Sequence, residues 1–214
     1  MRAAKQRFLK FASLICGVLA LCGLSSAQAS TVLQMSFEEV VDAAELVFEG
    51  RVTGLRSQSS ADGSIHTLVS FQISDVIKGE FAGAAIELRF LGGQVGMRGL
   101  QVSDMRMPEQ GETGIYFVES LRDFQVNPLV GWAQGHFLIE DLGSGASLVT
   151  TAGHVPVVSV QSADGAPASL AEAQFSKGVA KGVSVRAGIA SKASRGLSAQ
   201  QFKASVREIV ELAR

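Results

Sequence analysis

The chain has 214 residues, 47% of them hydrophobic and 18% charged, with a formal net charge of −1. That balance gives no basic footprint for nucleic acid, and the length is enough for one ordinary core. Its two cysteines, Cys16 and Cys22, both lie in an apolar N-terminal stretch, so thiolate metal sites, cysteine nucleophiles and disulfide frameworks are excluded from everything after it.

Residues 1–29 read as a signal peptide. Arg2, Lys5, Arg7 and Lys10 precede an apolar run from Phe11 to Leu24, and Ala27-Gln28-Ala29 supplies small residues for cleavage after Ala29. The run is shorter than the roughly 20 residues of a spanning helix. A lipoprotein reading of Cys22 is disfavoured because Leu21 stands where a small residue is wanted. The mature chain is therefore expected to be exported, periplasmic or secreted, with no membrane span. The leader holds four of the 19 basic residues and none of the 20 acidic ones, which leaves a net charge of −5. Residues 30–141 carry 7 basic and 16 acidic groups, and the remainder 8 and 4.

Ser36-Phe37-Glu38-Glu39 is a capping box, and Phe37, Val40, Val41 and Ala44 repeat at helical spacing. A short N-terminal helix is expected there, with Glu38, Glu39, Asp42 and Glu45 on its solvated face. Leu46–Arg56 is the first strand, and Asp62-Gly63 turns the chain into the clearest strand of all, Ile65–Gly79. Ile65, Thr67, Val69, Phe71 and Ile73 alternate strictly with polar residues, and at Asp75 the alternation slips into Val76-Ile77. Such a slip sends later side chains to the other face, so a bulge is expected. Ala85–Leu91 and Thr113–Ser120 are further strands, and Gln94–Gln110 between them reads as an irregular loop lying on the body. Asn127-Pro128, Gly131 and Gly135 carry too much turn chemistry for a strand, whereas His136–Glu140 and Leu148–Thr151 alternate again. Val155–Val160 is an edge strand at most, because Pro156 is tolerated only there. Residues 161–197 read as a low-complexity linker. Ser198 and Gln201 form a second capping box, opening a helix with the stripe Phe202, Val206, Ile209 and Val210 over 198–214.

The expected fold is mainly β: a small curled antiparallel, OB-like barrel of about five to six strands over residues 30–160, with one short N-terminal and one C-terminal helix. An open sandwich is the alternative.

The blocks AELVFEGRV, HTLVSFQISDVIKG, LRFLGGQ, MPEQGETGIYFVE and VNPLVGWAQGHF, in that order, resemble a family of small, uncharacterised exported bacterial proteins. The likeness runs from about Phe37 to Glu140 and carries no catalytic residues with it. More distantly, the arrangement is similar to netrin/TIMP-like OB barrels, which act by binding, metalloproteases included. Those use disulfides and an N-terminal cysteine that residues 30–214 lack, so the similarity implies a barrel and no inhibitory mechanism.

His66, His136 and His154 show no metal-ligand spacing, there is no Gly-x-Ser-x-Gly elbow, and no phosphate-binding glycine pattern occurs. No cofactor or metal is expected. The stretch Asn127–His136 combines Asn127, Gln134 and His136 with Trp132, and Tyr116 and Arg122 are near in sequence. Aromatic and amide groups between glycines could stack on and hydrogen-bond a ligand; alternatively Trp132 plugs one end of the barrel. The expected function is a non-enzymatic binding module acting through loops 94–107 and 127–136. Its expected partner is another exported protein, such as a protease, and not nucleic acid. Two alternatives are a hydrolase pairing His136 with Glu119 or Asp141, and an oligosaccharide-binding barrel.

Overall fold

The computed structural model divides the chain into Met1–Ser30 and Thr31–Arg214, and describes residues 32–143, 145–160, 178–185 and 196–213. The expected signal peptide and most of the expected linker lie outside the described residues. Among the described residues, ten strands and two α-helices follow in order. They are α1 (Phe37–Ala43), β1 (Leu46–Ser59), β2 (Ile65–Lys78), β3 (Ala85–Leu91), β4 (Gly93–Val95), β5 (Arg98–Leu100), β6 (Thr113–Val118), β7 (His136–Gly143), β8 (Ala146–Thr151), β9 (Val157–Val160), β10 (Val183–Val185) and α2 (Ala199–Leu212).

Six strands form one antiparallel sheet in the order β3-β2-β1-β6-β7-β8, while β4-β5 and β9-β10 are separate two-stranded ribbons. The mainly β expectation holds; the closed barrel does not. The edge strands β3 and β8 do not pair with each other; other chain covers the outer side of β8 and one end of β3. The β8 edge is covered where Val149 N–H donates to Leu197 and Thr151 N–H to Val155, at 2.9 Å each. On the β3 side, Leu91 N–H donates to the Val126 carbonyl, a loop residue, at 2.9 Å. Residues 94–100, expected as loop, form the β4–β5 hairpin. Residues 178–185, inside the span read as linker, carry β10, and Phe37 N–H donates to the Lys181 carbonyl at 2.8 Å.

The central strands are apolar on both faces, so the sheet needs two cores. On one face Val47, Ile115, Phe117, Phe137 and Val149 meet α1 and α2 through Phe37, Val41, Phe202 and Val206. The aromatic rings there meet edge-on or tilted, with Phe37 5.6 Å and Phe137 4.7 Å from Phe202 between centroids. The C-terminal helix thus docks on its own chain. On the other face Leu46, Phe48, Val69, Phe71, Phe90, Tyr116 and Leu129 pack together.

The slip in β2 serves both cores. Glu49 pairs with Asp75 but Gly50 pairs with Ile73, so Ser74 is passed over. Phe71, Ile73 and Val76 face the second core, and Ile77 turns to the first. The register sets Glu49 and Asp75 directly opposite, a like-charge pair that is unfavourable alone. Lys203 of α2 answers both, at 2.6 Å from Glu49 and 2.8 Å from Asp75, and Arg207 adds 2.9 Å to Asp75. At the other end of β2, Lys78 Nζ donates to the carbonyls of Val41 and Asp42 at 2.6 and 2.8 Å, capping the end of α1. Gly79 must then turn with φ +85°, and a Cβ there would meet the Glu45 carbonyl oxygen at 2.3 Å.

Gly143 also has positive φ, +79°, but open space around it. Gly79→Ala is therefore expected to lower unfolding free energy by more than about 2 kcal/mol, and Gly143→Ala by about 1 kcal/mol. Urea unfolding of the two variants beside the wild type measures the difference; equal losses would contradict the close approach.

Candidate functional site

The densest polar cluster lies on the second core's face, where β6 and β7 place Tyr116 directly opposite His136. Their rings are 5.3 Å apart, and Phe48 and Phe71 flank Tyr116 at 5.4 and 4.7 Å. Glu112, four residues before Tyr116, closes the group. Its Oε1 accepts from the Tyr116 hydroxyl at 2.9 Å and lies 2.6 Å from His136 Nε2. Its Oε2 accepts from Arg106 Nη2 and from the Glu109 amide, both at 3.3 Å. The loop carrying Arg106 and Glu112 is sewn to β1: Val52 N–H donates to the Glu112 carbonyl and Gly111 N–H to the Val52 carbonyl, at 2.8 and 2.9 Å.

Burial by itself would raise the Glu112 carboxyl, but the bonds from His136 and Tyr116 outweigh it and hold the group below its ordinary value. Burial, and then the Glu112 charge, push the Tyr116 phenol far above its ordinary range. The His136 side chain is 1% exposed and that of Glu112 9%. Because an ionised carboxylate only accepts, His136 Nε2 carries the proton between them; His136 Nδ1 is buried with no hydrogen-bond partner. A carboxylate–imidazole pair of this kind can orient and transfer a proton. Closed on both sides by protein, it here locks the 101–112 loop to the sheet.

Of the residues expected to form a contact site, Tyr116 and His136 are brought together, but inside. Gln134 is fully buried: its Oε1 accepts from Met35 N–H at 2.9 Å and its Nε2 donates to the Leu33 carbonyl at 2.9 Å, fastening the residues before α1. Asn127 is buried and accepts from Leu129 N–H at 3.0 Å, closing the turn at Pro128. Trp132 is half-buried at the start of a 3₁₀ turn, Trp132–Gly135, with φ +59°. Arg122 is exposed on the 119–128 loop. His136 takes Glu112 as its acid, whereas Glu119 is exposed and Asp141 accepts from the Gly143 amide at 2.8 Å. Glu112 and Arg106 were not legible as partners, since only the fold brings residue 112 to residue 136. The one signal was Glu112 and Tyr116 sharing a motif block.

A second polar chain starts at His66, which is 8% exposed. Burial and the Arg89 charge hold its imidazole below its ordinary value, so a neutral Nε2 accepts from Arg89 Nη2 at 2.5 Å. Arg89 in turn lies 4.5 Å over the Phe124 ring. Among the described residues no group of histidine and carboxylate side chains is placed to hold a metal ion, and no helix is long and apolar enough to cross a membrane.

No protein-family model, no curated protein and no solved structure matches this chain.

The depressed Glu112 carboxyl fixes the sign of a pH effect. Stability gained from ionised Glu112 is present above the ordinary value of 4.5 and is lost as pH falls through the lower folded-state value. Glu112→Gln is expected to cost about 2 kcal/mol at pH 7, and the gap from wild type to shrink below about pH 4.5. Denaturant titrations at stepped pH measure this; a gap unchanged down to pH 3 would contradict the assignment.

Proposed function

We propose that the mature chain is an exported, non-enzymatic interaction module that binds another exported protein through residues 91–107. The supporting observation is the division between inward and outward chemistry. Tyr116, Asn127, Gln134 and His136 spend their polar atoms inside the protein, while the β4–β5 hairpin and the chain after it present apolar side chains outward. Met97 at the hairpin tip is fully exposed, and Leu100 is 37% exposed. At the hairpin's base a groove of about 590 Å³ is lined by Leu91, Leu100, Val102, Met105 and Met107. Three of the chain's five methionines fall in this stretch, and thioether side chains adapt readily to partner surfaces. Leu129 of the 127–136 loop packs in the same core as Met105 and Met107, and Trp132 and Ala133 are half-buried.

This reading takes the net charge of −5 and the signal-like N-terminus as the address, and protein as the partner. The oligosaccharide alternative needs an exposed aromatic platform, whereas Tyr116 is buried and Trp132 half-buried.

A photo-cross-linking residue placed at Met97 in the full chain, irradiated in the native exported fraction, is expected to give a discrete protein adduct. The same residue at exposed Leu142, on β7, is expected to give none. Adducts at Leu142 and none at Met97 would overturn the surface; no adduct at either would overturn the function.

A further inference from the structure

The two edges of the main sheet are treated differently. Residues 155–157 and Leu197 cover β8, whereas β3 is covered at one end only. Gly92 N–H donates inward to the Ile65 carbonyl at 2.7 Å, and Leu91 N–H donates outward to Val126. Backbone groups alternate sides along a strand, so the N–H and C=O of Glu87 and Arg89 point outward. Neither residue's outward backbone groups have a backbone partner among the described residues. Glu87 is exposed there. Unpaired edge groups of this kind are a template for another strand.

A second, independent feature lies alongside. The 119–128 loop holds Leu121, Phe124 and Val126 at 38%, 80% and 42% exposure, a concentration of outward apolar side chains. Between this loop and β3 runs a slot of about 210 Å³, whose apolar lining includes Phe81, Ile86, Leu88 and Pro128. Phe124 is held in place while exposed: buried His66 anchors Arg89, and the Arg89 guanidinium sits over the ring. A fixed aromatic beside an open strand edge supplies both the side-chain anchor and the backbone pairing of strand addition.

We propose that the β3 edge and Phe124 form a docking site for an extended peptide segment of a partner protein, which adds as a strand beside Glu87 and Arg89. The incoming strand alternates, with apolar residues on the Leu88 side and polar residues on the side of Glu87 and Arg89, where Phe124 stacks on the Arg89 guanidinium. Charge decides the polar side. Arg89 is already engaged by His66 and Phe124, while Glu87 has only long contacts, to the Ser70 hydroxyl at 3.5 Å and to Arg56 at 3.8 Å, with the Glu87 and Arg56 side chains well exposed. The peptide therefore carries lysine or arginine opposite Glu87. This site is separate from the methionine-lined groove and does not depend on it.

The probe is a seven-residue peptide alternating valine and lysine, titrated into the full mature chain and followed by backbone amide spectra and hydrogen exchange. Saturation is expected to slow exchange at the Glu87 and Arg89 amides by about tenfold or more, as pairing removes them from water. The same peptide N-methylated at alternate residues keeps its side chains and loses its donors, and is expected not to bind. Glu87→Pro removes one outward N–H and leaves the bonds to β2 intact, so it is expected to abolish binding. Phe124→Ala, which leaves the backbone unchanged, is expected to weaken binding about tenfold, as one aromatic contact does. Equal binding of the methylated peptide, unchanged binding by Phe124→Ala, or no binding at millimolar peptide would each overturn the proposal. So would a dimer in sedimentation that Glu87→Pro dissociates without peptide, since a second copy would then own the edge.

Discussion

The structure rests on one constraint: strands β1 and β6 are apolar on both faces, so the sheet they centre cannot leave either face to water. In β6, Ile115 and Phe117 point one way and Tyr116 and Val118 the other, and all four are fully buried. The two helices and residues 178–183 cover the first face. Covering the second falls largely to irregular chain on either side of β6, residues 101–112 and 119–130, which has many backbone groups outside the sheet's regular pairing. Burying such chain is costly unless each polar group is bonded. The polar residues of this region meet most of that requirement: Asn127 Oδ1 answers Leu129, and Glu112 gathers Tyr116, His136, Arg106 and the Glu109 amide, while the buried Asn127 Nδ2 and His136 Nδ1 have no partner. Gln134 does the same at the opposite rim, where the chain enters α1.

That constraint redistributes the functional surface. A loop whose amide, imidazole and phenol groups are committed internally has little left to offer a ligand. Two outward features there are apolar or backbone in character: the Met97 hairpin with its groove, and the outer edge of β3 with Phe124. Both are suited to protein surfaces and poorly suited to small polar substrates. The same division explains why His136 and Glu112, a pair with acid–base capability, act as a fastening. Their mutual bond is what lets the 101–112 loop lie flat over β1, and Met105 and Met107 on that loop then face the groove.

Much of the local structure was legible because it follows from short-range chemistry. Both helices begin at the capping boxes Ser36/Glu39 and Ser198/Gln201, with both reciprocal bonds present in each. The slip at Asp75 appears as the passed-over Ser74, and Pro156 stands just outside β9, bridged to Thr150 at the edge. Closure was not legible: whether β3 meets another strand depends on where residue 126 lies in space, which no local pattern encodes. The strand β10 escaped notice because three residues give no period to read. The candidate site was legible in membership and not in orientation. Tyr116 and His136 do meet, yet strand alternation alone could not say that their shared face is covered by the 101–112 loop. Glu112 is the residue that decides this, and its pairing is tertiary.

The polar cluster of Glu112, Tyr116 and His136 is closed to solvent and holds the covering loop in place. Long-range nitrogen–proton spectra of the three histidines, with exchange of ring protons against water, address it directly. His136 is expected to show an Nε2 proton exchanging as slowly as the neighbouring amides of Ile115 and Phe117, while the ring of His154, 61% exposed, exchanges fast. A His136 ring proton that exchanges as fast as that of His154 would mean that the site opens to water, contradicting the claim and returning His136 and Glu112 to the list of groups a ligand can reach.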